Sequence, residues 1–421
     1  MSFALQQQIE RDLASLQGTY CPTVAEKYQL LLKRDNLLQL LAKLRPQSKS
    51  RMLATSKMGN CIDMCNEKER YCRQLGNLLH PYECTPDGKL DPALAVKDYS
   101  RSAADQDEPL LHELRPPPIL KKTMDYLILM MDKPMSRSEL PRWYDFTWSR
   151  TRAIRKEITQ QIIVDEVTVS LVEKCARFHI YASYCMSDLD SKVFDKRMNI
   201  ENLSKCLQTL RHMYDDLSKK SIFCESEPEF RAYDILLNLG DSNVLSSTHT
   251  YHRSVRNAPM FKLAMKLACA YQTDNFVLFF RLIREQATFL QACLCRSFFD
   301  QIRAKALHTV AKVSRPPTIL VSKLTRLLAF DNDEDIQSFM KALDMYPKAD
   351  GMVRYGDGYQ LFSEVSDGKT TYGCEVIREK IHDSISTIIA GGRVQAPKFN
   401  QPVNSFVMDY YGRPPTGRRR N

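Results

Sequence analysis

Apolar residues recur along most of this chain at spacings of three and four, the spacing of a helix that packs on one side. The clearest case is the stretch 199–220. Its apolar stripe consists of Leu203, Leu207, Leu210, Tyr214 and Leu217. Stretches that alternate apolar and polar residues, as half-buried strands do, are few. The pattern therefore predicts a mainly all-α fold.

Helix-start signals place further helices before and after this stretch. Residues 22–45 have the pattern of an amphipathic helix. Ser226 and Glu229 have the spacing of a capping box, and Asp274 stands before an apolar run as an N-cap. Consecutive helices joined by short breaks over 120–313 indicate antiparallel hairpins stacked into an array.

The last folded part has a different character. Its predicted elements are short helices at 319–330 and 333–345, a β-hairpin at 352–364 and a final helix at about 374–389. Asp331 or Asp333 is the expected cap of the second helix. Gly356 and Gly358 permit the hairpin turn. Short helices followed by a hairpin are the order of a winged-helix domain.

The N-terminal part combines short elements with proline-rich stretches. A turn at Gly59 leads into a short charged helix, which Pro81 and Pro86 end. The prolines at 116–118 are predicted to force extended backbone, so that this segment lies across the helical array. The side chains expected to hold it there are Leu110, Leu114 and Ile119.

These signals divide the chain into five regions. They are a basic N-terminal arm with an amphipathic helix (1–58), a segment with an extended proline-rich part (59–119), a helical-repeat region (120–313), a winged-helix domain (314–390) and a disordered basic tail (391–421).

Composition is that of a globular intracellular protein. Hydrophobic residues make up 43% and charged residues 26% of the 421 positions, within the ordinary range. The 13 cysteines are scattered without a framework, which disfavours a secreted disulfide-linked protein. The first residues lack the pattern of a signal peptide, and the apolar run 126–131 is too short to span a bilayer. We expect a soluble protein in a reducing compartment, with no membrane partner.

The net charge of +10 is concentrated near the two ends. Residues 26–57 carry +6 and residues 391–421 carry +5, so the rest is nearly balanced. Basic ends favour binding to phosphate backbones, because cationic side chains that bind there release counterions from the nucleic acid. Solvated termini are often basic without binding anything, and this alternative stays open. The candidate nucleic-acid residues at the ends are Lys33, Arg34, Lys43, Arg45, Lys49, Arg51, Arg418, Arg419 and Arg420.

A cysteine and histidine group invites a comparison with zinc sites. Its members are Cys61, Cys65, Cys72, His80 and Cys84. Structural zinc sites favour close pairs at both ends of the motif. Only the first two cysteines qualify clearly, and buried cysteine is also an ordinary small apolar residue. We therefore expect no metal and no other cofactor.

Two charged helices are candidate contact surfaces. Arg152 and Arg155 share a helix face, where they can grip RNA phosphates or bind an acidic surface. The acidic loop 105–108 of this chain is the favoured partner for that face. The second short helix of the predicted winged domain is acidic through Asp333, Glu334 and Asp335, which a phosphate-lined groove would repel. We expect it to bind protein, and any nucleic acid there to contact Lys323, Arg326 and Arg354.

Catalytic patterns are missing from the sequence. It contains no phosphate-binding G-x-x-x-x-G-K-[ST], no G-x-S-x-G and no H-E-x-x-H. We therefore expect a protein that is not an enzyme and has no small-molecule substrate.

Several motifs resemble the Sac-three/GANP family, in the same order along about residues 59–390. The opening motif is GNCIDMCNEKERY, and the most characteristic block is AVKDYSRSAADQDEPLLHELRPPPILKKTMDYLI. Similarity continues in WYDFTWSRTRAIRKEITQQ, EKCARFHI, ENLSKCLQTLRHMYDDL, FFRLI and ACLCRSFFDQIRAKAL. The family pattern has prolines after its first two cysteines, where this chain has Ile62 and Asn66.

This resemblance implies a TPR-like helical-hairpin array followed by a PCI-type winged helix. It also implies a second PCI-domain protein and a small acidic subunit as partners, with the two winged helices together presenting a nucleic-acid platform. Single-stranded RNA is the expected nucleic acid for a different reason, because aromatic residues of the tail can stack on unpaired bases; they are Phe399, Phe406, Tyr410 and Tyr411. Family members are scaffolds of nuclear mRNA export, which implies a location in nucleus and cytoplasm. The chain is similar to short family members, which are assigned to centrosome duplication and mitotic spindle assembly. That role is the alternative.

Overall fold

The computed structural model describes residues 2–44, 58–101, 109–133, 135–313, 320–343, 345–347, 353–355 and 375–398. The chain divides into two compact units. Unit 1 contains residues 1–171 and 394–421, and unit 2 contains residues 172–393. The boundary between the units falls within the predicted helical-repeat region.

Unit 1 is helical. Its helices are α1 (Ser2–Leu16), α2 (Val24–Leu44), α3 (Glu67–Leu75), α4 (Pro117–Leu129), α5 (Leu140–Gln161) and the first residues of α6 (Glu166–Cys185). Single 3-10 turns lie at Pro81–Glu83, Leu111–Glu113 and Met130–Asp132.

Unit 2 continues α6 and adds a longer series of helices. They are α7 (Lys196–Ser218), α8 (Glu227–Leu237), α9 (Ser242–Ser247), α10 (Arg253–Asn257), α11 (Pro259–Gln272), α12 (Phe276–Glu285), α13 (Phe289–Cys295), α14 (Phe299–Val313), α15 (Val321–Leu327), α16 (Asp333–Ala342), α17 (Glu375–Arg378) and α18 (Ile385–Ala390). The mainly all-α prediction is confirmed in the described residues.

The first two helices belong to the folded part of unit 1. α2 confirms the predicted helix at 22–45, and Leu31 on it is fully buried. Leu31 and Cys21 form a small apolar cluster with Leu30 and with Tyr71 of α3. Helix α1 is not among the predicted helices. Of its apolar residues only Ile9 and Leu16 are buried, and its sequence therefore lacks a clear apolar stripe.

The proline-rich segment is folded differently from the prediction. Pro117 and Pro118 occupy the first turn of α4, and only Pro116 before them is extended. Proline is tolerated in a first turn because the backbone N–H groups there have no partner inside the helix. The extended-backbone prediction is therefore confirmed for Pro116 and wrong for Pro117 and Pro118. The expected anchoring is present, since Leu114 is buried and the Leu110 and Ile119 side chains are half-buried.

The stripe on α7 shows why the periodicity prediction succeeds in unit 2. Each predicted stripe residue has 4% exposure or less. These residues are Leu203, Leu207, Leu210, Tyr214 and Leu217. The helix starts at Asp195, whose carboxylate accepts the backbone N–H of Met198. The spacing therefore identified both the helix and its buried face.

Three predicted caps are corrected by the structure. Ser226 stands at the N-cap of α8, but its side chain donates to Glu173 and makes no cap hydrogen bond. The cap of α12 is Asn275 and not Asp274, and the cap of α16 is Asn332 and not Asp331 or Asp333. In both cases the structure uses the asparagine beside the predicted aspartate.

The segment after α14 follows the predicted order in part. Helices α15 and α16 confirm the two short predicted helices. Strand β2 (Val353–Tyr355) lies in the predicted hairpin, but it pairs antiparallel with β1 (Met345–Pro347). Residues 356–374, including the predicted second hairpin arm, lie outside the described residues. Two short helices, α17 and α18, occupy the region of the predicted final helix.

Within the described residues, none of the helices combines the length and apolar character needed to cross a bilayer.

Candidate functional site

The segment around Gly59 is pinned to two neighbouring parts of unit 1. The backbone N–H groups of Asn60 and Cys61 donate to the carbonyls of Leu111 and Leu114, both at 2.9 Å. The N–H of Gly59 donates to the side-chain oxygen of Gln161 at 2.8 Å. A Cβ on Gly59 would lie 2.2 Å from the Leu114 oxygen, so only glycine fits here.

Glu83 is the centre of a buried hydrogen-bond and ion-pair cluster. Its carboxylate is fully buried and accepts two hydrogen bonds from Arg73 Nη1, at 2.9 and 2.7 Å. It also accepts from Arg150 Nη2 at 3.0 Å and from the backbone N–H of Val96 at 2.8 Å. Two guanidinium groups from distant parts of the sequence therefore share one carboxylate.

A second buried pair lies between the HELRPPP segment and α5. Arg115 is fully buried and donates through Nε to Glu157 Oε2 at 2.9 Å. Its Nη1 donates to the carbonyl of Met64 at 3.1 Å, and Lys97 Nζ lies 2.6 Å from Glu157 Oε1. Burial would raise the pKa of Glu157, but the charges of Arg115 and Lys97 outweigh it, and the pKa is lowered. Glu157 is therefore ionised at neutral pH.

Asp35 joins α2 to α3 and to the turn at 111–113. Lys68 Nζ lies 2.5 Å from carboxylate oxygens of both Asp35 and Glu113, and His112 Nε2 lies 3.0 Å from Asp35 Oδ1. Burial would raise the pKa of Asp35, but hydrogen bonds from His112 and Lys68 and the charge of Arg34 lower it to about 2. The cluster holds the helical hairpin α1–α2 on the rest of unit 1.

The same cluster brings together side chains of the types that bind metal ions. Among the described residues, ligand atoms of Asp35, His112 and Glu113 lie within 4.8 Å of one another. The Lys68 ammonium already contacts both carboxylates, and Arg34 pairs with Asp35 at 2.7 Å. The carboxylate charge is thus compensated by side chains of this chain, and the arrangement is an ion-pair cluster.

Comparison with known proteins identifies the segment that carries the Glu83 and Glu157 clusters. The model of the SAC3/GANP family matches residues 64–348. The chain belongs to the SAC3/GANP family. The match contains Glu83, Arg115, Glu157 and their partners, and it extends to the end of β1 in unit 2.

Curated relatives agree with this assignment. The chain is 35% identical over 418 residues to Protein xmas of Drosophila melanogaster, a match covering 96% of this chain and 20% of that protein. It is 35% identical over 312 residues to SAC3 family protein 1 of Schizosaccharomyces pombe, covering 68% and 30%. It is 34% identical over 303 residues to SAC3 family protein B of Arabidopsis thaliana, covering 68% and 17%. The chain therefore spans less than a third of the length of these relatives.

The two positions where this SAC3/GANP chain departs from the family's proline pattern differ in their surroundings. Ile62 is 64% exposed. Asn66 is buried and caps α3, since its Oδ1 accepts the N–H of Glu69 at 2.9 Å and its Nδ2 donates to Glu69 Oε2 at 3.2 Å. Asparagine at this position thus has a local structural role.

The candidate zinc residues of the SAC3/GANP segment lie in separate surroundings. Cys65 is fully buried and accepts from Arg73 Nη2 at 3.2 Å, and burial raises the pKa of its thiol. Cys72 is exposed, whereas Cys61 is buried. The His80 ring packs on Phe146 with ring centres 4.6 Å apart, and burial lowers the pKa of His80 to about 4.

The predicted nucleic-acid residues divide into four groups. Lys33 and Lys43 are exposed on α2, and Lys323 and Arg326 are exposed on α15. Arg34 is buried against Asp35 and His112, so it is not available to a phosphate. Arg354 lies in β2. The others lie outside the described residues, namely Arg45, Lys49, Arg51, Arg418, Arg419 and Arg420.

The predicted partner-binding residues occupy two surfaces. In unit 1, Arg152 lies over the Tyr99 ring at 3.9 Å and Arg155 is half-buried nearby on α5. Residues 105–108, the favoured partner of that helix face, lie outside the described residues. In unit 2, Glu334 is exposed on α16, while Asp333 accepts from Thr325 Oγ1 at 2.5 Å. Asp335 is half-buried; its backbone N–H donates to the capping Asn332.

The buried clusters of Glu83 and Glu157 were not found from the sequence. In the sequence Glu83, Arg115 and Glu157 look like ordinary surface residues of turns and helices. The available signal is partial, since Arg115 and Arg150 lie within motifs that resemble the family, whereas Arg73 lies in the short charged helix. Charged side chains in such stretches are almost never buried unless they are paired.

Proposed function

We propose that this chain is a non-catalytic scaffold of nuclear mRNA export or processing. In this role it binds a PCI-domain protein, a small acidic subunit and single-stranded RNA, and it is located in nucleus and cytoplasm. The observation that carries the proposal is the extent of the family match, from the Glu83 cluster through the helices of unit 2 to β1. We extend the role of the longer relatives as whole proteins to this chain only as part of this proposal.

The surface chemistry of unit 2 supports protein docking on α16. Glu334 is exposed there, and the first turn of α16 also contains Asp333 and Asp335. A row of carboxylates repels phosphates and favours a basic protein surface. The helical series before it is proposed to be the TPR-like part, and α15, α16 and the strands are proposed to be the PCI-type winged helix.

Copurification of a co-expressed PCI-domain partner tests the docking. Glu334→Lys reverses the charge of an exposed side chain, and it should weaken recovery of the partner at least tenfold. Glu201→Lys, on the exposed face of α7, is the matched control and should leave recovery unchanged. Equal recovery with both variants would show that α16 is not part of the docking surface.

RNA binding is tested by filter binding of single-stranded RNA over a salt series. Each phosphate contact contributes about −0.7 to the slope of log affinity against log salt for single strands. The proposal expects a slope steeper than about −2 for the intact chain, reduced when Lys323 and Arg326 are replaced together by alanine. A flat slope would favour a scaffold that binds only proteins.

The cellular role is tested by depletion and rescue. An export scaffold predicts that polyadenylated RNA accumulates in the nucleus when the protein is removed. The alternative role in centrosome duplication and spindle assembly predicts abnormal spindle-pole numbers with normal RNA distribution. The second result would replace the export proposal.

A further inference from the structure

Unit 2 exposes a pair of aromatic rings on a surface between helices. Phe223, in the loop between α7 and α8, is 61% exposed. Its ring lies 5.6 Å from the ring of His252, centre to centre, with the planes tilted by 32°. His252 is also exposed, and Ile222 beside Phe223 is 37% exposed. Exposed apolar and aromatic side chains that lie together, rather than singly, mark interaction sites.

The backbone that presents Phe223 is firmly defined. Ser221 adopts a left-handed conformation (φ 61°), and its N–H donates to the carbonyl of Ser218 at 2.9 Å. The N–H of Ile222 donates to the carbonyl of Leu217 at 3.0 Å. This pair of hydrogen bonds is the Schellman motif, which ends α7 with a fixed change of chain direction. The Phe223 ring is thus held at the surface by a regular helix termination.

His252 is fixed by a different local motif. It is the N-cap of α10, and its Nδ1 accepts the backbone N–H of Ser254 at 3.3 Å. Because Nδ1 acts as an acceptor, the proton of the neutral ring lies on Nε2. The ring therefore offers a flat face and one N–H donor to a ligand.

Basic residues lie close to the two aromatic ones in the sequence. Lys219 and Lys220 precede Phe223 by three or four residues, and Arg253 follows His252 directly; all three are exposed. Asp216 pairs with Lys219 at 2.9 Å, which partly offsets one of these charges. Exposed aromatic rings with cations beside them are the usual features of sites for single-stranded nucleic acids. Every base has a flat face for stacking, and its phosphate needs a cation nearby.

We propose that Phe223 and His252 form a stacking platform for unpaired bases of RNA, with Lys220 and Arg253 facing the adjacent phosphates. The inference rests on the proposed function in one respect, since it takes RNA as the ligand of this scaffold. It adds a binding site in the helical series of unit 2, separate in sequence from α15 and from both basic ends. The site reads no base sequence, because stacking accepts every base.

The test measures fluorescence anisotropy of a labelled 15-nucleotide oligouridine bound to the full chain. Phe223→Leu keeps an apolar side chain of similar size but removes the aromatic face. It should weaken binding at least fivefold, since stacking on one base contributes roughly 1–3 kcal/mol. Phe223→Tyr should bind like the parent chain. Phe3→Leu, which changes a 71% exposed phenylalanine of α1, is the matched control and should have no effect.

The cations give a second, independent readout. Replacing Lys220 and Arg253 together by alanine should flatten the salt slope by about 1.4, two contacts at about 0.7 each. Replacing Lys205, an exposed lysine of α7, should leave the slope unchanged. A reduced slope together with the Phe223→Leu loss supports the site.

The outcomes separate this inference from the proposed function. If the parent chain binds oligouridine and Phe223→Leu binds equally well, the stacking site is wrong while RNA binding elsewhere stands. If the parent chain does not bind, RNA is removed from the proposed function and the inference fails with it. If Phe223→Leu leaves RNA binding intact but loses the copurified protein partner, the rings form a protein contact and the inference is overturned.

Discussion

At the residue scale, the N-terminal unit is distinguished by charges that are buried and shared. Glu83 has no exposed surface and accepts from Arg73, Arg150 and the backbone of Val96. Such a carboxylate loses its hydration on folding, and it is stable only because its partners replace the water. Removing the carboxylate takes the buried partner from both guanidinium groups, and it leaves Arg73 with Glu69 at 3.6 Å and Arg150 with Asp98 at 3.2 Å.

Glu83→Ala is therefore expected to be strongly destabilising. Breaking a buried ion pair from one side typically costs about 3–5 kcal/mol, because the remaining charge stays buried. The measurement is the thermal unfolding midpoint, with Asp216→Ala as the control for an exposed ion pair. A midpoint as high as that of the control would mean that water or a rearranged side chain replaces Glu83.

Asp35 gives a prediction in pH. Its pKa is lowered from 3.8 to about 2 in the folded chain, so its ionised form stabilises the fold. That stabilisation is complete above about pH 4 and is lost as the pH falls towards 2. In Asp35→Asn the loss of stability between pH 4 and pH 2 should be smaller than in the parent chain. Urea unfolding at a series of pH values measures it; the exposed Asp87→Asn is the control, and equal pH dependence in both would contradict the assignment.

At the scale of elements, helix ends and close backbone contacts decide where the segments lie. The 59–61 segment reaches the Leu111–Glu113 turn and α5 through three hydrogen bonds that require close approach of the backbone at Gly59. This contact fixes the start of the family segment to the end of α5. It is a contact that a side chain at position 59 would prevent.

Gly59→Ala should loosen this corner of unit 1. The added Cβ would lie 2.2 Å from the Leu114 oxygen, so the segment must move away and lose its hydrogen bonds. Amide exchange at Asn60 and Cys61 should become faster by at least tenfold. Gly392→Ala is the matched control, because an added Cβ there meets nothing within 4 Å. Unchanged exchange in Gly59→Ala would show that the backbone can adjust without losing the contact.

Sequence reasoning found the helices better than their ends. The stripe on α7 repeats over five buried positions, and such a signal does not depend on tertiary context. Caps were placed one residue away, because Asp274 and Asn275 are equally good cap residues and only the backbone decides between them. The prolines at 116–118 were assigned to extended chain because their acceptance in a first helical turn depends on the helix that follows.

Sequence reasoning also located the exposed candidate residues more easily than the buried ones. Lys33, Lys323 and Glu334 are exposed, as a charge pattern suggests. Arg34 was grouped with the nucleic-acid residues because its neighbours are basic, whereas its side chain turns inward to Asp35. Ion pairs between positions 35 and 112 or 83 and 150 have no local signature.

At the scale of the whole molecule, the N-terminal helices are part of unit 1. Leu31 and Cys21 pack with Tyr71 of α3, and Asp35 contacts Lys68 and His112. The basic region predicted as an arm thus contains a helical hairpin with structural contacts. Its exposed cations remain candidates for RNA, but the hairpin itself supports α3.

Deleting residues 1–44 is therefore expected to destabilise α3. The deletion uncovers Tyr71 and leaves Lys68 with Glu113 as its remaining carboxylate in this cluster. Hydrogen exchange of α3 amides should become faster, whereas exchange of α7 amides in unit 2 serves as the internal control. Equal protection of α3 with and without residues 1–44 would show that this segment is an arm that does not stabilise α3.

The shared carboxylate of Glu83 also has a consequence for synthesis on the ribosome. Arg150 lies 67 residues further along the chain than Glu83. At about 5–20 residues per second, it emerges roughly 3–13 seconds later. During that interval Glu83 lacks one of its two guanidinium partners, because α5, which carries Arg150, is still being made. The N-terminal segment therefore cannot complete its fold until α5 has emerged. We expect a chaperone that binds nascent chains to bind it mainly during those seconds.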